Sequence, residues 1–171
     1  MTPRSARPWL GLGLSLLALM GGCGAAGTPP PDPALALGAC ADPVAVRSLG
    51  SGLLSGLMDE RITLVRDQPA WAALWAQHAP GRPAPSVDFA TEQVLVVLRQ
   101  HPTGGYALEV VEACREGDSL TVRVVEHAPG PDEATVQILT QPWAFVALPR
   151  LTGRVTVRLA IRVGSPPGAA P

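Results

Sequence analysis

Alternation of apolar and polar residues is the clearest pattern along this chain. In RVTVRLAIR, residues 154–162, valine, leucine and isoleucine occupy every second position, with arginine, threonine or alanine between them. SLTVRVVEH, residues 119–127, alternates in the same way over its first six residues. Successive side chains of a β-strand point to opposite faces, so both segments are predicted to be half-buried strands.

Five further runs are rich in β-branched or aromatic residues and are bounded by glycine, proline or charged turns, which predicts strands there as well. They are RITLVR (61–66), QVLVVLRQ (93–100), YALEVVEA (106–113), TVQILT (135–140) and WAFVAL (143–148). The predicted fold is therefore mainly β, as an antiparallel β-sandwich or a partly closed barrel.

One segment has a helical period instead. DQPAWAALWAQH, residues 67–78, offers Asp67 or Gln68 as the N-cap and Pro69 in the first turn. Its large side chains recur at intervals of three and four residues, which places them on one stripe. The stripe consists of Trp71, Leu74, Trp75 and His78. We predict one short amphipathic helix that packs on a face or an end of the sheets, with the tryptophans in the core.

The N-terminal residues 1–22 are predicted to be a lipoprotein signal peptide. Arg4 and Arg7 precede the apolar run LGLGLSLLALM, residues 10–20, which is shorter than the roughly 20 residues of a membrane span. LMGGCG then resembles a bacterial lipobox, with Met20 where leucine is preferred, and predicts lipid on Cys23. The alternative is an ordinary secretory signal that is cleaved after Ala26.

The rest of the chain divides into three parts. Residues 23–43 are rich in glycine, alanine and proline and are predicted to be a flexible linker from the lipidated Cys23. Residues 44–163 are predicted to form a single β domain, and residues 164–171 a disordered tail. The predicted location is outside the cytoplasm, on the periplasmic or cell-surface face of a membrane, anchored by the N-terminal lipid.

Composition excludes several classes of chemistry. All 13 basic residues are arginine, and the sequence has neither lysine nor asparagine. A Walker lysine, a Schiff-base lysine and a Ser-Lys dyad are therefore excluded. The formal net charge is −1 and the arginines are dispersed, so nucleic acid is not a predicted partner.

The two cysteines beyond Cys23 are candidates for a disulfide. Cys40 and Cys114 would pin the linker to the domain in an oxidising compartment. Two unpaired thiols are the alternative, because sequence does not supply the distance between the two residues.

Two short strings imitate enzyme motifs. GDSL, residues 117–120, matches the nucleophile block of a hydrolase family, but that family also needs asparagine and a late Asp-x-x-His, which this chain lacks. Gly117 and Asp118 are typical of a hairpin turn. The glycine-rich TGGY, residues 103–106, leads into a strand rather than through a lysine into a helix, so it is no phosphate loop. No catalytic residue, metal site or cofactor is predicted.

The order of the motifs resembles the PrcB C-terminal domain family. The motifs are DQPAWAALWAQH, PSVDFATEQVLVVL, HPTGGYALEV, HAPGP and LTQPWAFVALPR, which lie between Arg61 and Arg162. The family is named after a subunit of a bacterial surface protease complex that accompanies a serine protease without being catalytic. The resemblance implies a non-catalytic, protein-binding domain in an exported protein, with an envelope protein such as a protease as its partner.

A more distant likeness concerns two loops. HPTGGY and QPW are similar to loops of chagasin-like cysteine-protease inhibitors, with Gly104 and Gln141 as departures from that pattern. The likeness implies partner-binding loops and, as an alternative function, protease inhibition. The residues are Thr103, Gly104, Gly105, Tyr106, Pro142 and Trp143. The competing interpretation places both aromatic rings in the core and uses the glycines only for the turn. Exposure of the two rings on adjacent loops would favour inhibition.

Overall fold

The computed structural model describes residues 40–164. The predicted signal peptide, Cys23, most of the predicted linker and nearly all of the predicted tail lie outside them. The described chain forms eight strands and one helix. Their bounds are β1 Pro43–Val44, β2 Arg47–Gly52, β3 Arg61–Val65, α1 Gln68–His78, β4 Glu92–Leu98, β5 Ala107–Glu116, β6 Ser119–Ala128, β7 Trp143–Pro149 and β8 Val155–Val163.

The strands form two four-stranded sheets that face each other as a sandwich, which confirms the predicted fold class. The first sheet has the order β1-β5-β6-β8 and the second the order β2-β7-β4-β3. All neighbours pair antiparallel except β6 and β8, which run parallel. Between β6 and β8 the chain crosses to the second sheet and runs through it as β7. It reverses direction before and after β7, so β8 runs in the same direction as β6. The prediction of an antiparallel sandwich is therefore wrong for this pair.

The main core lies between the two sheets. It is built from alternate residues of four strands, as the period-two patterns predict. Its buried members are Leu95, Val97, Leu108, Ala113, Leu120, Val122, Val124, Ala144, Val146 and Leu148. Val155, Val157 and Leu159 of β8 pack against the edge of this core, which confirms the predicted inner face of the C-terminal strand up to Leu159, whereas Ile161 on the same predicted face is exposed.

The helix covers the outer face of the second sheet, and the predicted stripe is confirmed. Its N-cap is Asp67, whose carboxylate accepts a hydrogen bond from the N–H of Ala70 at 2.8 Å. All four stripe residues are buried against Phe145 and one face of β4. Because β4 and β7 lie between the other sheet and the helix, both strands are apolar on both faces. Within residues 40–164 no helix is long and apolar enough to cross a membrane.

The predicted strand at residues 135–140 is not formed. Only Thr140 makes a ladder contact, an isolated bridge with His101. Val136, Ile138 and Leu139 are exposed instead. The run has β-forming residues, but such a preference is expressed only where a neighbouring strand and a buried face are available.

The domain begins within the segment predicted as linker. Cys40 and Cys114 form a disulfide with their Cα atoms 5.7 Å apart. The N–H of Arg115 donates to the carbonyl of Asp42 at 2.8 Å, and β1 then pairs with β5. Residues 40–43 are thus part of the folded domain.

Candidate functional site

Three connections meet at one end of the sandwich, which we call the loop end. They are residues 53–60 between β2 and β3, residues 99–106 between β4 and β5, and residues 129–142 between β6 and β7. The Gly117–Asp118 turn joins β5 to β6 at the opposite end. The loop end therefore brings together the PTGGY and QPW segments that were predicted from the sequence.

Backbone hydrogen bonds join the second and third connections. Thr140 exchanges two N–H···O=C bonds with His101, at 3.0 and 2.9 Å, and its hydroxyl donates to the half-buried Thr103 carbonyl at 2.7 Å. The N–H of Gly104 donates to the carbonyl of Val136 at 2.9 Å. These bonds fix residues 136–140 against the second connection although no strand forms there.

The two glycines of the PTGGY segment allow the second connection to pack closely against the third. Gly104 is buried, and a Cβ atom there would lie 2.7 Å from a methyl group of Val136. Gly105 has a φ of +89°, and a Cβ atom there would lie 2.9 Å from Pro129. Any other residue would push the second and third connections apart.

Tyr106 is half-buried and does not project from the loop. Its ring stacks on the imidazole of His101, with centroids 3.7 Å apart and planes inclined by only 2°. The same imidazole contacts the carboxylate of Glu126. The one tyrosine of the chain is therefore held against the domain by its neighbour in the loop.

Trp143 is the first residue of β7, and it packs between the second sheet and the helix. Its indole N–H donates to the carbonyl of Leu54 at 2.9 Å. Its ring centroid lies 4.3 Å from that of His78 and 4.8 Å from that of Phe145. A Cβ atom at Gly52 would come within 2.8 Å of the indole nitrogen, so a glycine is required beneath the ring.

The rest of the QPW segment is also packed. Gln141 and Pro142 are both buried. The N–H of Gln141 donates to the carbonyl of Leu53 at 2.9 Å, which joins the third connection to the first. The N–H of Arg99 donates to the carbonyl of Pro142 at the same distance. Neither aromatic ring is thus presented as a free anchor, which matches the interpretation as core packing.

A buried carboxylate lies beneath the loop end. Glu126 of β6 is 1% exposed, and it accepts a hydrogen bond from Nε of Arg99 at 3.0 Å. A terminal nitrogen of the same guanidinium lies 2.9 Å from Glu60. Arg99 therefore ties the first and second connections to β6, with His101 on the other carboxylate oxygen.

Sequence reasoning missed this cluster, although a signal was present. Along β6, Leu120, Val122 and Val124 face the core, and the next residue of that face is Glu126. A charged residue at an inward position is rarely buried without a partner. Arg99, which directly follows β4, was the natural candidate for that partner.

The GDSL string forms the predicted hairpin turn. Gly117 has a φ of +63°, and Ser119 begins β6. His127 lies eight residues further along the same strand, roughly 25 Å away at the rise of an extended chain. His78 and His101 are at the loop end with it, so Ser119 has no histidine beside it. Within residues 40–164 no group of three or more His, Cys, Asp or Glu side chains is placed to hold a metal ion.

Comparison with known families decides the relationship of this segment. Residues 93–149 match the family model described as PrcB C-terminal. This stretch is similar to the PrcB C-terminal family. The predicted resemblance is confirmed over this stretch, while residues 61–92 and 150–162 lie outside the match. No curated protein and no solved structure matches the chain.

The PrcB match coincides with the structural elements just described. It begins at the second residue of β4 and ends with the last residue of β7. It therefore contains two of the three connections of the loop end, together with the buried carboxylate and its arginine.

A groove of about 330 Å³ opens on one side of the PrcB-like domain, between β2 and β5. Apolar side chains from both sheets line it, among them Val46, Leu108, Val110 and Val146. Glu109 is its one ionisable side chain. The lining therefore offers no pair of a nucleophile and a histidine base.

His78 makes the stability of the PrcB-like domain depend on pH. It ends α1, and its Nδ1 lies 2.8 Å from the hydroxyl of Ser55 among the rings of Trp75, Trp143 and Phe145. Burial lowers the pKa of this imidazole below its usual 6.5. The unfolded chain therefore takes up a proton at a higher pH than the folded domain does.

We expect the free energy of unfolding to be insensitive to His78 above about pH 7 and to fall as the pH drops below about 6.5. Urea denaturation of the wild type and of His78→Gln between pH 5 and 8 measures this contribution. The variant should lose part of the acid sensitivity, whatever its stability at pH 8. Identical slopes in the two proteins would contradict the assignment.

Proposed function

We propose that this protein is an exported lipoprotein whose PrcB-like domain binds another protein of the cell envelope, as a non-catalytic accessory subunit of a protease complex. The observation that carries the proposal is the PrcB C-terminal match over β4 to β7. The matched segment includes most of the loop end, whose residues form packing and hydrogen-bond contacts. The accessory role follows from the family, in which this domain accompanies a protease.

The anchor is proposed from the sequence. Cys23 follows an apolar run and two glycines, and 16 residues separate it from Cys40. The described chain starts at Cys40, which is bonded to Cys114 near the Gly117–Asp118 turn. The described domain thus begins at the end opposite the loop end.

Lipidation is tested by Cys23→Ser in the intact chain. We expect the variant to leave the membrane fraction and to lose labelling by radioactive palmitate, because serine lacks the thiol that receives the lipid. Thr28→Ser, a change of similar size that leaves Cys23 in place, is the matched control. Retention of the Cys23→Ser protein in the membrane fraction would refute the anchor.

Protein binding is tested by chemical cross-linking in intact cells, followed by mass spectrometry. We expect one recurrent envelope protein, such as a protease subunit, to be captured with this chain across growth conditions. The same cross-linking after Cys23→Ser shows whether capture depends on attachment to the membrane. Recovery of the monomer alone under every condition would speak against an accessory role.

Neither alternative function enters the proposal. Chagasin-like inhibition relied on Tyr106 and Trp143 as projecting anchors, and both rings are packed against the domain. Hydrolysis relied on Ser119, which lies at the opposite end of β6 from His127.

A further inference from the structure

The loop end carries a group of exposed apolar side chains, which we call the apolar patch. They are between 46% and 63% exposed, and they come from the first and third connections. The members are Leu53, Leu54, Val136, Ile138 and Leu139. Met58 of the first connection is exposed as well, and the other exposed large apolar residues lie on strands: Ile62, Val111, Ile161 and Val163.

Two features hold the apolar patch together. The hydrogen bond from Gln141 to Leu53 places the two contributing segments side by side. The third connection is fixed to the second by Thr140 and Gly104. The patch is thus built on hydrogen-bonded backbone, and exposed apolar residues grouped at one end of a domain are typical of interaction sites.

The unpaired charge at the loop end is negative on balance. Arg162, which lies beside His127 near the end of β8, is exposed and forms no ion pair with a residue in 40–164, but two unpaired carboxylates outnumber it. Asp59 is paired with Arg61 at 2.8 Å, and Glu60 is paired with Arg99. Asp132 and Glu133 precede the apolar residues of the third connection, and among residues 40–164 neither is within ion-pair distance of an arginine. Glu133 only accepts a hydrogen bond from the N–H of Gly130.

The charge beside the patch favours a protein over an anionic bilayer as its occupant. Cys114 lies three residues before Gly117, and the start of β5 at the loop end is about 20 Å away along the strand. The patch therefore lies at the end of the domain away from Cys40. Unpaired carboxylates at its border would also be repelled by anionic lipids.

We propose that the loop end binds a segment of a partner protein in which apolar side chains are flanked by lysine or arginine. The apolar patch buries the apolar side chains, and Asp132 and Glu133 pair with the basic ones. Such charge complementarity sets specificity and speeds association. This inference rests on the proposed function and adds to it the surface used and the chemistry of the partner.

The test uses the full chain in intact cells, with photoreactive benzoylphenylalanine in place of Leu139. A second form carries the same group in place of Asp118, in the exposed turn at the opposite end. Irradiation is followed by mass spectrometry that identifies the cross-linked residue in the partner. We expect cross-links from position 139 to one protein segment that combines apolar residues with lysine or arginine, and none from position 118.

The charge requirement is tested in the same cells. We expect Asp132→Asn with Glu133→Gln to lower the cross-linking yield from position 139 about tenfold. The matched control is Glu116→Gln with Asp118→Asn, which removes two carboxylates at the opposite end and should leave the yield unchanged. All four side chains are exposed, so melting temperatures should stay within a few degrees of the wild type.

The outcomes separate this inference from the proposed function. Cross-links to protein from position 118 alone would refute the loop end as the binding surface but would still support protein binding. Position 139 could instead cross-link to an acidic or uncharged segment, or to a second copy of this chain. Either result would refute the proposed apolar and basic character of the partner. Cross-links to lipid from position 139 would refute the inference. The absence of cross-linked protein at both positions would refute it too, and would also count against the proposed function.

Discussion

Removal of the Cys40–Cys114 disulfide is expected to lower the free energy of unfolding by about 4 kcal/mol. The bond joins residues 74 positions apart, and a cross-link of that span strongly restricts the unfolded chain. It also holds β1 on the edge of β5, where only two residue pairs connect them. Urea denaturation of the double variant Cys40→Ala, Cys114→Ala measures the loss.

Reduction of the wild type supplies the control for the disulfide. Dithiothreitol should shift the urea midpoint of the wild type toward that of the double variant and should leave the double variant unchanged. A double variant within about 1 kcal/mol of the oxidised wild type would show that the bond adds little.

Arg99→Leu is expected to lower the free energy of unfolding by about 3 kcal/mol, near the lower limit for breaking a buried ion pair. Glu126 is 1% exposed and would lose its guanidinium partner, while the desolvation of its carboxylate would remain. Glu60 would lose its ion pair as well and would keep only the hydrogen bond from the N–H of Gln100, at 3.3 Å. Chemical denaturation at pH 7 measures the change.

The double variant Arg99→Leu, Glu126→Leu separates charge from packing. A buried ion pair replaced by apolar side chains is often tolerated, so the double variant should recover much of the stability that the single variant loses. Arg82→Leu, at an exposed position, is the control and should change the stability by less than about 0.5 kcal/mol. Equal losses in the single and double variants would contradict the role of Arg99 as partner of the buried carboxylate.

The helix and six strands of this fold could be predicted because each is marked either by a single period or by a run of β-branched and aromatic residues between turns. Trp71, Leu74, Trp75 and His78 meet one apolar surface, and their spacing in the sequence shows it. β6 and β8 alternate because one face of each is directed to the core. In such segments local pattern and tertiary environment agree.

The remaining elements depend on contacts that no local pattern contains. β2, with the sequence RSLGSG, has few β-forming residues and is a strand because Gly50 and Gly52 leave room for the ring of Trp143. Residues 135–140 have β-forming residues but no adjacent strand edge. The parallel direction of β8 follows from the passage of the chain through the other sheet, which only topology reveals.

The candidate site shows the same division. The PTGGY and QPW segments could be singled out from the sequence because they are part of a family signature. The packing of their aromatic rings could not be predicted from the sequence, because Tyr106 packs on His101 and Trp143 packs on α1. The exposure of Val136, Ile138 and Leu139 in the apolar patch could not be predicted, because their sequence is typical of a strand.

The parallel pairing of β6 with β8 sets the order in which the domain can be completed. β6 is an inner strand of the first sheet, and one of its two hydrogen-bonded edges belongs to β8, the last strand among residues 40–164. In a chain that emerges N-terminus first, that edge stays unpaired until residues 155–163 have emerged. Pairing of β8 is thus the step that completes the first sheet.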